Sequence, residues 1–402
     1  MKVSFRNILL IFILWRILLF VTAWTSQLLL PFTPRFPYSD IFLIPSKLPF
    51  WIWSFANFDG VHYLTIAKSG YSAQFTQVFF PLYPVLLRLV TFIIPFLSPI
   101  IAGLFISNSF FLLLLFILWK LLKMDYKKEQ INWILLFLIL FQTSFFFGSL
   151  YTESLFFLLV IVSFYAARLN KWWLAVIFGC LASATKFVGI FLLPALLWEW
   201  HNNNIKYQKL NVKYKNKDNN IKILYGGIVN FTFNVLRSPI TYIVPLGLLS
   251  YMVYLQVVFG DPLYFWHAQP IFGAQRSGGS LILLPQVIWR YIKILSTVSS
   301  IAYEFWVAVW ELSSLVVAYL LIIIATLNKV RLTYVIFSFL AVTIPTLTGT
   351  LSSMPRYILI VFPIYIVLGL IKSKAIKISL LFLSFFLLIL FTILFSSGRW
   401  VS

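Results

Sequence analysis

The chain holds only ten Asp and Glu residues among its 402, so each can be weighed as a catalytic group. Asp59 lies among apolar and aromatic residues in the segment from Asn57 to Tyr71. An apolar environment raises the pKa of a carboxyl group, which suits a general base that holds a proton during a reaction. A second interpretation stays open, in which Asp59 caps a helix that begins near Gly60.

Two neighbouring groups carry similar alternatives. His62 follows Asp59 by three residues and shares its predicted helix face, yet a single histidine is more typical of a structural hydrogen bond than of catalysis. Glu153 precedes an apolar run. It binds a substrate, orients Asp59 or a basic residue, or serves as a carboxylate matched to the helix dipole.

A later segment adds further polar residues. Asp261, His267 and Gln269 either line a substrate pocket or belong to a loop without that role. Arg276 is followed by Gly278 and Gly279, a composition typical of a mobile loop that acts as a gate.

Metal and nucleotide sites find little support. A zinc site needs several His or Cys ligands, whereas this chain has three histidines and one cysteine. A carboxylate-bound divalent ion at Asp59 and Glu153 is conceivable but not required. No phosphate-binding loop of the Walker type is present. We therefore expect neither a metal nor another cofactor, and no substrate that is carried on a soluble nucleotide.

The composition indicates that the elements carrying these groups lie in a membrane. Apolar residues make up 61% of the chain and charged residues only 10%, against about 25% in soluble domains. The net charge of +21 would suit nucleic acid. The Lys and Arg residues stand between apolar runs, however, where they orient helices across a bilayer. We expect the lipid bilayer, and not nucleic acid, as a partner.

The apolar runs predict an all-α, polytopic membrane protein with about eleven transmembrane helices in a single domain, 1–402. A span needs ~20 apolar residues, because every backbone amide must be satisfied internally. Lys186 interrupts one pair of runs, so this region forms either two half-length helices that meet at a polar point or one long helix with a buried lysine. The predicted spans are 8–30, 100–122, 131–149, 154–168, 172–185, 187–200, 239–259, 305–327, 332–349, 357–371 and 378–397.

Alternate threading from an inside N-terminus places most of the 31 Lys and Arg residues on the cytoplasmic side, as the positive-inside rule requires. This topology gives a cytoplasmic loop at about 201–238 and outer loops at about 31–99 and 260–304. The first outer loop is expected to hold helices that lie at the membrane interface. Arg16, inside the first span, must snorkel or pair with another helix.

Several short motifs together resemble a known family. The segments are Phe58-Asp59-Gly60-Val61-His62-Tyr63 with Gly70-Tyr71, Phe79-Phe80-Pro81-Leu82-Tyr83-Pro84, Gly148-Ser149-Leu150-Tyr151-Thr152-Glu153, Ala184-Thr185-Lys186-Phe187-Val188-Gly189, Gly260-Asp261-Pro262-Leu263-Tyr264-Phe265 with Gln269, and Pro355-Arg356-Tyr357 with Phe362-Pro363. In this order they resemble the GPI mannosyltransferase 2 (PIG-V-like) family.

The resemblance implies a GT-C fold glycosyltransferase that takes a sugar, typically mannose, from a polyprenyl-phosphate donor at the outer or lumenal face. It also implies that Asp59 is the catalytic base. Family members often carry arginine where Lys186 stands, so the charge is kept but a bidentate grip on phosphate is lost. Many members also have tryptophan where Phe58 stands.

The expected chemistry is one displacement at the anomeric carbon. Asp59 would accept the proton of an acceptor hydroxyl, while Lys186 and Arg356 would bind the donor phosphate. A single displacement inverts the configuration, so a second carboxylate nucleophile is not needed. The residues expected to bind substrate are His62, Tyr63, Glu153, Asp261, His267, Gln269 and Arg276.

Two other functions remain as alternatives. A lipid or solute transporter or flippase would line a path between both faces with charges, whereas the candidate residues gather on one side. A catalytically idle assembly subunit would not need Asp59 together with both cations. The acceptor is a hydroxyl of a lipid, glycan or protein, with an accessory subunit as a further partner. We expect a prokaryotic cell membrane, or the endoplasmic reticulum if the source is eukaryotic.

Overall fold

A computed structural model describes residues 5–213, 238–273 and 276–401. Most of the predicted cytoplasmic loop, 201–238, lies outside the described residues. The described part is helical and contains no β-strand, which confirms the all-α class. The α-helices are α1 (Phe5–Leu29), α2 (Phe50–Trp53), α3 (Asp59–Ser69), α4 (Leu82–Ile93), α5 (Pro99–Leu122), α6 (Lys128–Ile139), α7 (Glu153–Arg168), α8 (Trp172–Ser183), α9 (Leu192–Lys213), α10 (Pro239–Ile243), α11 (Leu246–Phe259), α12 (Tyr264–His267), α13 (Leu284–Thr297), α14 (Tyr303–Leu327), α15 (Leu332–Thr346), α16 (Met354–Tyr357), α17 (Pro363–Leu370) and α18 (Lys374–Ser396).

Short helices of other types connect them. A π-helical turn covers Ser39–Leu43. The 3₁₀ turns are Ile44–Ser46, Ser54–Ala56, Thr76–Val78, Ser144–Gly148, Phe187–Phe191, Gln269–Phe272 and Ile358–Ile360.

Four helices of the described part, α1, α5, α14 and α18, are long and apolar enough to cross a membrane. A fifth candidate is α11 together with residues 264–272, which are bent by 82° relative to each other. The chain is therefore a multi-pass membrane protein. The other predicted spans correspond to shorter or interrupted helices, so by helix length alone the structure supports fewer crossings than the eleven predicted.

The interruptions have a common physical reason. The predicted span 131–149 ends as an α-helix at Ile139, and the buried 3₁₀ turn Ser144–Gly148 follows. The predicted span 357–371 is likewise divided at Val361. Non-helical backbone is tolerated at membrane depth where protein surrounds it. In the sequence, an apolar run that packs inside the protein therefore has the same composition as a run that spans the membrane.

Lys186 stands at a real break between helices. Helix α8 ends at Ser183, and Lys186 is extended, with φ −151°. The 3₁₀ turn Phe187–Phe191 then leads into α9. A Cβ on Gly189 would lie 2.4 Å from the Ala182 backbone. The turn after Lys186 can therefore pack this close to the end of α8 only with glycine at this position. Of the two alternatives for this region, the two helices meeting at a polar point are the ones found.

The segment 31–99, predicted to be the first outer loop, contains short helices. Helix α4 exposes the apolar side chains Val85, Leu89 and Phe92 on one face, while Tyr83 and Leu87 are buried. An exposed apolar face beside a buried one is typical of a helix at a membrane interface. Arg16 of α1 does not snorkel, because its guanidinium lies 4.0 Å from the Phe20 ring centre and 4.4 Å from that of Phe55.

Helix α7 gives the molecule two distinguishable ends. Its 16 residues place Glu153 and Arg168 ~22 Å apart along the axis. At the Arg168 end, Arg168 donates to both carboxylate oxygens of Asp125 at 2.6 and 2.8 Å. At the other end, Glu153 contacts Lys186 and Arg356, which line a large cavity.

Candidate active site

A cavity of about 960 Å³ opens beside the N-terminus of α7. Its wall carries aromatic rings together with most of the charged residues that the sequence singled out. The charged or titratable lining residues include Asp59, His62, Lys186, Arg276, Glu311 and Arg356. This size and mixture suit a ligand that has both a polar and an apolar part.

Asp59 is the first residue of α3, and the backbone just before it is strained. Phe58 has φ +57°, a region that costs a bulky residue about 1 to 3 kcal/mol. The Phe58 ring is clamped by Phe36 and Trp400, with ring centres 4.6 and 5.5 Å away. Packing around this ring therefore holds Asp59 in place.

The segment 148–153 supports the same loop. The Asp59 N–H donates to the Tyr151 hydroxyl at 3.2 Å, and that hydroxyl donates to the Asn57 carbonyl at 3.0 Å. The Leu150 N–H donates to the Phe55 carbonyl at 2.9 Å. Two of the motifs named above are thus in direct contact around the candidate base.

The Asp59 carboxylate forms an ion pair with Arg356. Asp59 is itself the first helical residue and Phe58 is the cap, without a side-chain cap hydrogen bond, so the capping interpretation of Asp59 is not supported. The purely apolar environment expected for Asp59 also needs correction, since a buried guanidinium compensates its charge. A sequence window cannot show this partner, which lies 297 positions away.

Arg356 has its own rigid support. It lies in α16, which starts after Ser353, a residue with φ +69°. The Thr143 hydroxyl donates to the Pro355 carbonyl at 2.9 Å. The Arg356 Nε lies 3.6 Å from Glu153 Oε1, and the whole residue is 9% exposed.

Glu153 links the two candidate cations. It is 1% exposed at the first turn of α7, and the Lys186 Nζ donates to its Oε1 at 2.5 Å. Two of the three interpretations of Glu153 therefore apply, since it orients basic residues and also matches the helix dipole. Glu153 is not among the cavity residues, so the structure does not place it where it would bind the acceptor directly. The cluster is balanced in charge, because it holds two carboxylates, Asp59 and Glu153, and two cations, Lys186 and Arg356.

His62 and Tyr63 lie on the cavity wall near Asp59. The His62 ring stacks on Phe79, with ring centres 4.9 Å apart. Burial lowers the pKa of His62 below its ordinary value of 6.5, and the negative charge of Asp59 opposes this shift only in part. The Tyr63 hydroxyl lies 3.5 Å from that of Thr152. Burial, with a smaller contribution from Asp59, raises the pKa of Tyr63, so it stays a neutral hydroxyl.

The later polar segment divides into two parts. Asp261 binds the Leu263 N–H at 2.9 Å and His267 Nδ1 at 2.6 Å, and neither Asp261 nor His267 is among the cavity residues. These contacts fit the alternative of plain loop structure. Gln269 and Arg276 do line the cavity, and Arg276 Nη1 donates to Gln269 Oε1 at 3.2 Å.

Sequence reasoning gave no role to three residues that shape the site. Tyr151 belongs to the motif 148–153, and this membership could have marked it as a site residue. Glu311 is a carboxylate within a predicted span and is 4% exposed, a costly position that usually marks function. It accepts a hydrogen bond from the Tyr291 hydroxyl at 2.5 Å, and nothing in the sequence near Tyr291 signals this contact.

Within the described residues, no three His, Cys, Asp or Glu side chains converge in a way that could hold a metal ion. That the reaction needs no metal stays a prediction.

Comparison with known proteins identifies the family. A sequence profile described as Mannosyltransferase (PIG-V) matches residues 1–261, well over half of the chain. The matched region includes Asp59, Glu153 and Lys186, whereas Arg276 and Arg356 lie beyond it. No curated protein and no solved structure matches the chain. The chain belongs to the PIG-V mannosyltransferase family.

Proposed function

We propose that this mannosyltransferase uses a polyprenyl-phosphate sugar, with mannose as the sugar, and transfers it to a hydroxyl acceptor with inversion. The observation that supports this most is the ion pair between Asp59 and Arg356 on the wall of the large cavity. It joins a carboxylate able to take a proton to a cation able to stabilise a departing phosphate, as such a reaction requires.

In the proposed reaction the acceptor oxygen attacks the anomeric carbon and Asp59 takes the proton of that hydroxyl. The new C–O bond forms as the bond to the phosphate oxygen breaks, and the electron pair leaves with the polyprenyl phosphate. The leaving phosphate gains a negative charge in this step. Lys186 and Arg356, both held in place by carboxylates, stabilise that developing charge. His62 and Tyr63 complete the wall beside the sugar.

We propose that the cavity opens on the extracytoplasmic side. Basic residues concentrate at the opposite end of the bundle, where Lys123, Lys127 and Lys128 flank Asp125, the partner of Arg168. The positive-inside rule assigns that end to the cytoplasm. The lipid donor then enters the cavity from the bilayer. A prokaryotic cell membrane remains the proposed location.

One experiment tests the function directly. Purified protein in lipid nanodiscs is incubated with a panel of polyprenyl-phosphate sugars and hydroxyl acceptors, and released polyprenyl phosphate is measured. Release with the mannose donor supports the proposal, and no release with any donor contradicts it. A flippase would instead move intact donor across a vesicle membrane without releasing phosphate, so the two products separate the alternatives.

A further inference from the structure

The cations closest to the candidate base are already compensated by carboxylates. Lys186 is bound to Glu153, and Arg356 contacts both Asp59 and Glu153. At the rim of the cavity, Arg35 Nη1 lies 3.4 Å from Glu304 Oε1. A phosphodiester donor carries one negative charge before any bond breaks, so a balanced cluster gives little net attraction for it.

Arg276 differs from these cations in its partners. Its Nη1 donates to Gln269 Oε1 at 3.2 Å and its Nη2 to Ser352 Oγ at 3.4 Å, and both acceptors are neutral. No ion pair of Arg276 occurs within the part of the chain that the structure describes. Glu311 lines the same cavity and attracts Arg276 electrostatically, but these two described residues form no ion pair, and the Glu311 carboxylate is bound to the Tyr291 hydroxyl.

Arg276 is fixed relative to the catalytic cluster. Its partner Ser352 stands four residues before Arg356 in the chain. The segment after Arg276 is attached to the segment before Ser352, because the Ser277 N–H donates to the Thr348 carbonyl at 2.7 Å. Both arginines line the same cavity. Arg276 thus presents a positive charge at a defined place beside the site of transfer.

We infer that Arg276 binds the phosphate of the lipid donor before transfer begins, whereas Lys186 and Arg356 act on the charge that develops during transfer. This assignment rests on the proposed function for its substrate. A guanidinium binds phosphate oxygens through two parallel N–H bonds, which the ammonium of Lys186 cannot do. Gln269 and Ser352 hold the guanidinium in orientation without neutralising it.

A binding measurement tests this independently of turnover. Protein in nanodiscs is titrated with polyprenyl phosphate and with the uncharged polyprenol of the same chain length. The wild type is expected to bind the phosphate at least tenfold more tightly, and Arg276→Ala to lose that preference. Arg276→Lys keeps the charge but cannot form two parallel N–H bonds, so its preference for the phosphate is expected to lie between those of the wild type and Arg276→Ala. Arg88→Ala is the matched control, since Arg88 is exposed on α4 and does not line the cavity. An unchanged preference in Arg276→Ala overturns the assignment.

Kinetics separate this role from the others. Arg276→Ala is expected to raise the KM for the donor at least tenfold while kcat changes less than threefold, because the lost contact acts before transfer. A fall in kcat at unchanged donor KM overturns the assignment. If the wild type releases no phosphate from any donor, the proposed function fails, and the binding preference still tests Arg276.

A double variant excludes a simpler role. If Arg276 only neutralised Glu311, Arg276→Ala combined with Glu311→Gln would regain wild-type phosphate binding. Under the assignment made here the double variant stays as defective as Arg276→Ala. Recovery of the phosphate preference in the double variant overturns the assignment.

Discussion

Asp59 and Arg356 are 297 positions apart in the chain and form an ion pair on the wall of one cavity. A residue with positive φ precedes each of them: Phe58 comes directly before Asp59, and Ser353 comes three residues before Arg356. Backbone in such conformations persists only where surrounding packing enforces it. The fold thus accepts local strain to bring a carboxylate and a guanidinium together.

Asp59→Asn is expected to abolish sugar transfer, with a loss of at least ~100-fold, because an amide cannot take the proton of the acceptor hydroxyl. Release of polyprenyl phosphate measures the effect. Asp40→Asn is the matched control, since Asp40 is exposed in the same segment, 31–99, and does not line the cavity. Near-normal turnover in Asp59→Asn, in protein that folds and inserts normally, would remove Asp59 from its role.

Glu153→Gln is expected to lower the free energy of unfolding by about 3 to 5 kcal/mol, because it leaves Lys186 without its buried partner. Thermal unfolding in detergent measures the change. Glu153→Gln combined with Lys186→Met removes both charges and should regain part of the stability. Glu304→Gln breaks the exposed pair with Arg35 and should change stability little. Equal melting temperatures of Glu153→Gln and wild type would contradict this account.

His62 predicts a pH dependence of stability. Its pKa is lowered by burial, so below pH 6.5 the unfolded chain binds a proton that the folded protein still excludes. The stability due to neutral His62 is complete above pH 6.5. It is lost as the pH falls from 6.5 through the lowered pKa of His62 in the folded protein. We expect the wild-type melting temperature to drop more than that of His62→Gln between pH 7.5 and pH 5.5, measured by thermal scans. Equal drops in the two proteins would show that His62 makes no such contribution.

Single cysteines test the sidedness in a background where Cys180 is replaced by alanine. Cysteine at Ser69 or Ser280, both exposed near the cavity end, should react with a membrane-impermeant thiol reagent added outside intact cells. Cysteine at Lys128 or Asn202, exposed at the basic end, should react only after the membrane is opened. Cysteines in the segment 205–220, which is predicted to be cytoplasmic, should behave like the one at Asn202. The reverse pattern would invert the proposed topology.

The sequence was sufficient for the membrane class and for several cavity residues. Low charge and long apolar runs force an all-helical chain into lipid, because hydrocarbon leaves backbone amides no other partner. Asp59, Lys186 and Arg356 could be selected because they stand in short motifs with few competing charges. Helix count was harder, since an apolar run buried in protein has the same composition as one facing lipid.

Tertiary structure alone decided which charges are compensated. The sequence shows that Glu153, Lys186 and Arg356 exist, but ion pairing depends on distances of a few ångströms between elements that the chain separates by up to hundreds of residues. The tertiary structure also places Gln269 and Arg276 on the cavity wall. Asp261 and His267 bind each other and do not line the cavity. Composition fixes the solvent that a chain must face, whereas the pairing of its few charges is fixed only when distant helices pack.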